Sequence, residues 1–415
     1  MLDRLLGQSQ VPPAHRQTFL HLYLDVGWFG VLSGSAINFV SVYAARLGAT
    51  GLQIGLLAAV TAGTSLVLAL PAGRWLQRRP AGPATFWTSV IHRIGYLLLI
   101  PLPWLFSDAT QIWGLIAITF MMAVPLTPLA VGFNALFAEV VPSEWRAHVA
   151  GVRSATLGIA FMVSSIASGF ILKSAEFPAG YQMVFALGAL GAAMSSFHIY
   201  RLQAAHARAA RRRQVPASKR ASPGTAALSS VTRLDIWQTR FRRVLLALFA
   251  FHVTQYLAVP IFPIFNVRVL DLQDDQIGIG TALFYATVIL GSTRIGGASQ
   301  RYGHRAVTGL GVLGMGIYPL LLSFANRVWH FYGVSLLGGV TWAMAGGAYA
   351  NYMLEHIPSR DRPPHLAWYN IMLNGAILIG AVCGPLVADT MGIRPALLAF
   401  GLARFAAGAA ILRWG

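Results

Sequence analysis

Charged residues are scarce in this chain of 415 residues. Asp, Glu, Lys and Arg make up 11% of it and hydrophobic residues make up 56%, whereas an ordinary soluble domain is roughly one quarter charged. This composition excludes a water-soluble globular domain. Apolar windows of about 20 residues, the length that crosses a bilayer core, recur along the whole sequence.

Cysteine and acidic residues are also few. The single cysteine, Cys383, lies in an apolar segment, which excludes an internal disulfide framework and a cysteine-rich metal site. The net charge of +18 comes from 31 basic against 13 acidic residues. If the N-terminus is cytoplasmic, most of the basic residues fall on the cytoplasmic side. The basicity therefore indicates membrane topology rather than nucleic-acid binding.

Hydrophobicity predicts twelve transmembrane helices. The predicted spans lie near 19-43, 53-73, 84-105, 111-138, 149-172, 180-200, 244-266, 277-295, 306-324, 329-354, 366-388 and 394-412. They divide the chain into an N-terminal half (1-200), a basic linker (201-243) and a C-terminal half (244-415). The linker carries a cluster that we expect to lie near anionic lipid headgroups, namely Arg211, Arg212, Arg213, Lys219 and Arg220.

The two halves contain an internal repeat. Two patterns recur at one offset of 223 residues: Gln53-Ile54-Gly55 with Gln276-Ile277-Gly278, and Gly73 followed by Gln77-Arg78 with Gly296 followed by Gln300-Arg301. A third match has a slightly shorter offset and joins Glu139, Pro142, Ser143 and Arg146 to Glu355, Pro358, Ser359 and Arg362. Duplication of a six-span unit explains these matches.

The sequence resembles the major facilitator superfamily of secondary transporters over nearly its whole length. In that family the loop after the second span reads Gly-x-x-x-Asp-Arg-x-Gly-x-Arg. The second copy here matches it at Gly296, Arg301, Gly303 and Arg305, and the first copy matches it at Gly73 and Arg78. Both copies have Gln, at Gln77 and Gln300, where the family has the Asp that is thought to lock the cytoplasmic gate. An uncharged Gln predicts a weaker or differently built gate.

The resemblance implies an all-α membrane protein with two pseudo-symmetric six-helix bundles that enclose a midplane site and rock to alternate its access. Spans one, four, seven and ten would line the cavity. We further expect a monomer in the plasma membrane, the inner membrane of a bacterium, with both termini cytoplasmic. A small-molecule substrate, protons and membrane lipids are the expected partners, and no cofactor, metal or nucleic acid is expected.

One carboxylate, Asp25, interrupts the apolar first span. It shares one helix face with His21, Trp28, Leu32 and Ser35. A carboxylate at the centre of a membrane helix costs about 2.5 to 3.5 kcal/mol, so a functional or paired role is expected. Burial disfavours the charged form, as a proton-coupling group requires. Asp25 is therefore either a proton carrier or a structural carboxylate bonded to nearby donors or to cytoplasmic water.

Arg93 is a second charge, near the middle of the third span. It pairs with Asp25 or another acceptor, bonds helix carbonyls, or extends towards the membrane surface. A pair with Asp25 would stabilise the carboxylate and so oppose the proton-carrier hypothesis.

The other cavity candidates are polar or aromatic residues in predicted spans: Asn134, His252, Gln255, Tyr256, Trp342, Asn351, Tyr369 and Asn374. Hydrogen bonding between helices explains each of them equally well. In the seventh span, Pro260 and Pro263 interrupt the backbone ladder and predict a bend.

No catalytic pattern accompanies these residues. Gly309, Gly311 and Gly314 match a dinucleotide fingerprint but lie in an apolar run without a preceding strand, so helix packing explains them. We therefore predict no enzyme but a secondary active transporter of a small organic solute. It would be driven by a proton gradient or by the solute's own gradient, with efflux favoured over uptake. The alternative is a non-transporting membrane assembly factor of the same fold.

Overall fold

The computed structural model describes residues 13–212, 233–358 and 361–415. The first half of this described part holds six long helices. They are α1 (Pro13–Leu32, continued by a π-helical turn at Ser33–Ile37 and by Asn38–Arg46), α2 (Gly51–Gln77), α3 (Ala81–Leu99), α4 (Asp108–Val140), α5 (Arg146–Ser174) and α6 (Ala179–Arg212).

The second half holds six more. They are α7 (Phe241–Ala258, Ile261–Ile264 and a π-helical Phe265–Val269), α8 (Asp274–Tyr302), α9 (His304–Met315 and Ile317–Ser323), α10 (Val328–Glu355), α11 (Arg362–Met391) and α12 (Ile393–Trp414). The predicted twelve-helix membrane fold is confirmed. By length and composition alone, ten of the described helices qualify as membrane spans, and α3 and α10 complete the bundles.

Helix ends differ from the predicted spans in two instructive places. The sixth helix continues to Arg212, twelve residues beyond the predicted boundary, because its Ala/Arg-rich extension favours helix although it is too polar to count as a membrane span. Where a bend is predicted in α7, the helix is interrupted after Ala258 and resumes at Ile261. Of the basic cluster, Arg211 and Arg212 belong to the end of α6. Arg213, Lys219 and Arg220, like Ser359 of the repeat, lie outside the described residues.

The two six-helix bundles repeat the same packing. In the first, α1 packs on α5 and α6, and α3 packs on α4 and α6. In the second, α7 packs on α11 and α12, and α9 packs on α10 and α12. The two bundles meet through α2 against α11 and α8 against α5. These two contacts are equivalent under the repeat, so each bundle presents the same pair of helices to the other.

Where the linker ends, Arg233 ties the chain to the start of α11. Its guanidinium contacts Asp235 at 2.7 Å and Asp361 at 3.1 Å. The hydrogen bonds from Arg233 hold the pKa of Asp235 below its usual range. Trp237, which follows in the same segment, packs edge-on against Trp368. The segment that precedes α7 is thereby anchored to the second bundle.

The repeated Gln residues cap the helices that join the bundles. At α2, the Gln53 side chain accepts from the Thr50 backbone N–H at 2.8 Å, while the Thr50 hydroxyl accepts from the Gln53 N–H at 3.2 Å. At α8, Gln276 accepts from the Gln273 N–H at 3.0 Å in the same arrangement. These reciprocal bonds satisfy backbone donors that a helix N-terminus leaves unpaired.

The repeated Gly residues that follow let the bundles touch. Any Cβ at Gly55 of α2 would overlap the Ala381 carbonyl of α11, and one at Gly278 of α8 would lie 2.6 Å from the Ser165 carbonyl oxygen of α5. Farther along the same two helices, Gly73 and Gly296 have open space beside them. The bundles therefore converge where α2 and α8 begin and diverge where these helices end.

Replacing Gly55 with alanine tests this contact. Because the added methyl has no room beside α11, Gly55→Ala should lower the free energy of unfolding by about 1 to 3 kcal/mol, measured as a lower midpoint of thermal unfolding in detergent. Gly63→Ala, in the same helix with open space around the new methyl, is the matched control. Equal midpoints for the two variants would contradict the close approach.

Candidate substrate cavity and gates

A cavity of about 450 Å³ lies between the two bundles, within the size range of small-molecule sites. Helices α1, α7 and α10 contribute to it, as the resemblance implies, whereas the described lining contains no residue of α4 and several of α8. In this structure α4 packs against α2 and α3 of its own bundle. The polar residues that α1 and α7 contribute to the cavity wall include Ser33, Asn38, Ser41, Gln255 and Asn266.

The rest of the cavity wall is largely aromatic. Its rings come from both bundles: Phe161, Phe262, Phe284, Tyr285, Tyr318, Phe331 and Trp342. Across the bundle boundary, Phe161 packs against Tyr285 with ring centroids 4.1 Å apart. Among the described lining residues, Arg404 of α12 is the only Asp, Glu, Lys or Arg. The wall therefore suits a flat, largely apolar solute.

Two arginines close one end of the cavity reciprocally. Arg46, at the end of α1, donates to the Leu272 carbonyl at 2.6 Å and contacts Asp274 at 3.0 Å. Arg268, at the end of α7, donates back to the carbonyls of Ala45 at 3.1 Å and Ala49 at 2.6 Å. An arginine at the end of each bundle's first helix thus binds the chain at the end of the other bundle's first helix or in the loop after it.

A third contact strengthens this closed end. Lys173 of α5 contacts Asp275 of α8 at 2.7 Å, next to the close approach at Gly169, where a Cβ would lie 2.9 Å from the Cα of Asp275. The sequence analysis did not identify these residues. One signal was present, because Arg46 and Arg268 precede the repeated Gln53 and Gln276 by nearly the same distance.

The predicted cytoplasmic gate residues lie at the opposite, diverging end. Gln77, Arg78, Gln300 and Arg301 are exposed, and Gly73 and Gly296 have open space beside them. In the second copy, Gly303 turns the chain between α8 and α9 with a φ of 82°, which L-residues with side chains rarely adopt. Arg305 donates to the carbonyls of Ile411, at 3.1 Å, and of Leu412, and so caps the end of α12.

The polar face of α1 packs against α6 rather than along the cavity. His21 lies 3.0 Å from His198, nitrogen to nitrogen, and Ser195 donates to Asp25 at 2.5 Å. The backbone at Trp28 abuts α6, and Ser35 is fully buried with its hydroxyl on its own helix. Helical spacing places these residues on one face, but it does not say which neighbour that face meets.

Asp25 lies in a buried cluster of charges inside the first bundle. Its second carboxylate oxygen contacts Arg153 of α5 at 3.4 Å. Arg93 of α3 interacts electrostatically with Asp25 and donates to Ser196 at 2.9 Å. Arg93 was one possible partner predicted for Asp25, whereas Arg153, which lies near the start of a predicted span, was not predicted to contact it. Arg153 therefore contacts the carboxylate directly, whereas Arg93 lies near it and is hydrogen-bonded to Ser196.

The remaining candidates fall into three places. Gln255 and Trp342 line the cavity. His252 and Tyr369 are buried behind it, 3.1 Å apart, and Tyr256 packs against Gly380 of α11. Asn134 and Asn351 are exposed, and Asn374 donates to the Asn370 carbonyl of its own helix at 2.9 Å. Of these predicted residues, only Gln255 and Trp342 belong to the cavity wall of the described structure.

The comparison with protein families agrees with this architecture. The family model of the Major Facilitator Superfamily matches residues 26–273 and 244–415. The chain belongs to this superfamily, and it is a multi-pass membrane protein.

Curated relatives match over shorter segments. The class B tetracycline resistance protein of Escherichia coli is 25% identical over 138 residues, 33% of each chain. Multidrug resistance protein 2 of Bacillus subtilis (strain 168) is 26% identical over 152 residues, 36% of this chain and 38% of that protein. The matched segments thus span about a third of the length of these relatives.

Solved structures match over almost the whole chain. A bacterial homologue of the iron transporter ferroportin, in an inward-facing state, gives a TM-score of 0.71 at 13% identity and covers 98% of this chain and 99% of that one. The xylose transporter XylE from E. coli, in a partially occluded inward open conformation, gives 0.68 at 13% identity, with coverage of 96% and 97%. At such low identity these matches show a shared fold alone.

A double-mutant cycle tests the closed end. Because the Arg46–Asp274 pair is partly exposed, Arg46→Gln and Asp274→Asn should each lower stability by about 1 kcal/mol, and the double mutant should lose less than the sum of the two. Thermal unfolding in detergent measures all four proteins. Strict additivity would show that the two side chains do not interact.

The buried charge cluster around Asp25 predicts a larger loss of stability than the ion pair at the closed end. Asp25→Asn leaves buried arginines without a counter-ion and should cost about 3 to 5 kcal/mol of stability. Adding Arg153→Gln should recover most of that loss, because it removes the buried positive charge that Asp25→Asn leaves without its partner. Adding Arg93→Gln instead should recover less. Glu176→Gln, which neutralises an exposed carboxylate, is the control, and greater rescue by the Arg93 change would contradict the assignment of Arg153.

Proposed function

We propose that this protein is a secondary active transporter that moves a small organic solute through the cavity by alternating access. The observation that carries the proposal is a solute-sized cavity between two repeated bundles, closed at one end by ion pairs that join the bundles. At the other end the bundles diverge. A site reached from one side, with a breakable closure on the other, is what alternating access requires.

The bundles would rock about the α2–α11 and α8–α5 contacts. Opening the closed end would break the bonds of Arg46 and Arg268. Closing the diverging end would bring together the ends of α2 and α8, which carry Gln77 and Gln300. The diverging end carries the linker ends and most of the basic residues. By the positive-inside rule, that end is cytoplasmic, both termini are cytoplasmic, and the conformation is inward-facing in a bacterial inner membrane.

We propose efflux driven by a proton gradient. The relatives named for tetracycline and multidrug resistance support efflux of a small organic compound. For the proton, the geometry supports Asp25 as a group that exchanges its contact with Arg153 for a proton. Protonation of Asp25 would release Arg153 and loosen α1 from α5. A groove lined by Asn134, Arg153 and Ser154 reaches Arg153, the partner of Asp25. Because α5 also packs against α8, the change would reach the bundle boundary.

Transport in proteoliposomes tests both parts of the proposal. With an imposed pH gradient, we expect wild-type protein to move at least one compound of a panel that includes tetracycline and ethidium. Asp25→Asn should lose gradient-driven movement at least tenfold while retaining exchange of labelled for unlabelled compound. Exchange requires a folded transporter but no proton, so it controls for stability, and Glu176→Gln should behave as wild type.

Two results would contradict the proposal. Undiminished gradient-driven transport by Asp25→Asn would remove the proton role and leave Asp25 as a structural carboxylate. Failure to move any compound, together with a protein partner that co-purifies in fixed ratio, would favour the assembly-factor alternative.

A further inference from the structure

Arg404 is a buried cation in the wall of the cavity. It lies on α12 with 3% of its surface exposed. One terminal nitrogen donates to the Met315 carbonyl at 3.1 Å, and the other donates to the carbonyls of Thr254 and Gln255, each at 3.0 Å. These acceptors lie in the last turns of helical segments in α9 and α7, so the guanidinium is held at the negative ends of two helices.

No carboxylate balances this charge. All three of its acceptors are neutral carbonyl groups, and no salt bridge joins Arg404 to an acid within residues 13–212, 233–358 and 361–415. Arg46, Arg153 and Arg233, by contrast, each contact an aspartate. Helix ends supply only partial charges, whereas burying an ion removes its full hydration. Arg404 therefore remains an uncompensated positive charge.

Polar atoms next to this charge are also unsatisfied. A guanidinium offers five N–H groups, and the Nε of Arg404 has no hydrogen-bond partner. The side-chain oxygen of Gln255, 8% exposed and in the same wall, has none either. Buried polar groups are usually satisfied by protein, water or a ligand. One buried donor, the Nε–H of Arg404, and one buried acceptor, the side-chain oxygen of Gln255, therefore lack a partner among the described residues beside the cavity.

The surrounding wall restricts what that solute is. Met315, Tyr318, Thr341 and Trp342 line the cavity together with Arg404. No Asp or Glu belongs to the described lining, so nothing there neutralises a cationic solute, and Arg404 repels one. Aromatic side chains favour a flat apolar body.

We infer that the cavity takes an organic anion, a compound with a flat apolar body and one carboxylate or sulfonate group that binds at Arg404. This inference rests on the proposed function, because it takes the cavity as the solute site. It deepens that function by naming the charge of the solute. The anion supplies the missing counter-ion of the Arg404 guanidinium.

Two dyes with one skeleton test the inference. The anion 8-anilinonaphthalene-1-sulfonate and the neutral N-phenyl-1-naphthylamine differ by a sulfonate group. In fluorescence titrations of protein in lipid nanodiscs, with empty nanodiscs subtracted, the anion should bind saturably and at least tenfold more tightly. Arg404→Gln should lose that preference with unchanged affinity for the neutral dye. Arg294→Gln, at an exposed arginine outside the cavity lining, should retain it.

Equal affinity of wild-type protein for the two dyes, or tighter binding of the cation ethidium, would overturn the inference, and neither measurement needs a variant. If Arg404→Gln does not fold, the wild-type comparison and Arg404→Lys, which keeps the charge, decide the matter. Loss of the anion preference in Arg404→Lys would count against a charge-based site. Anion binding that depends on Arg404 without any transport would refute the proposed function alone, and transport that ignores solute charge would refute the anion site alone.

Discussion

The close approach of α2 to α11 and of α8 to α5 is the constraint on which the rest of the structure depends. At Gly55 and Gly278 the backbones of the two bundles come so near that no side chain fits between them. Contact at one end of these helices and separation at the other produce a cavity that tapers. Since the two contacts are related by the internal repeat, they support both sides of the cavity equally, and a rocking motion about them keeps the bundles intact.

The ion pairs near this contact are of two kinds, which differ in burial and in whether they join the two bundles. Those at the closed end pair across the bundle boundary, through Arg46 with Asp274 and Lys173 with Asp275. Partly exposed pairs of this kind are worth little individually, which suits a closure that has to break in every cycle. The pair of Asp25 and Arg153 is more deeply buried and lies within one bundle. Breaking it is costly, so it holds helices together unless Asp25 gains a proton.

Much of the fold follows from the sequence, and less of the candidate site does. Hydrophobic length identifies membrane helices because a bilayer demands it, and the repeat at Gln53 and Gln276 marks helix starts because capping needs those side chains. Spacing along α1 correctly groups His21 with Asp25. It cannot say that α6, rather than the cavity, faces them, because that depends on how helices rotate in the assembled bundle. Arg153 was overlooked for the same reason.

The two bundles share the same helix packing but differ in their buried charged groups and in the residues that they contribute to the cavity. The first buries a carboxylate near two arginines and contributes both polar and apolar groups to the cavity. The second buries Arg404 without an acid and contributes most of the aromatic wall. A duplicated unit needs its symmetry only where the bundles touch, so the interiors are free to diverge. Coupling chemistry in one bundle and solute recognition in the other would then act on each other through α5 and α8, whose contact belongs to both.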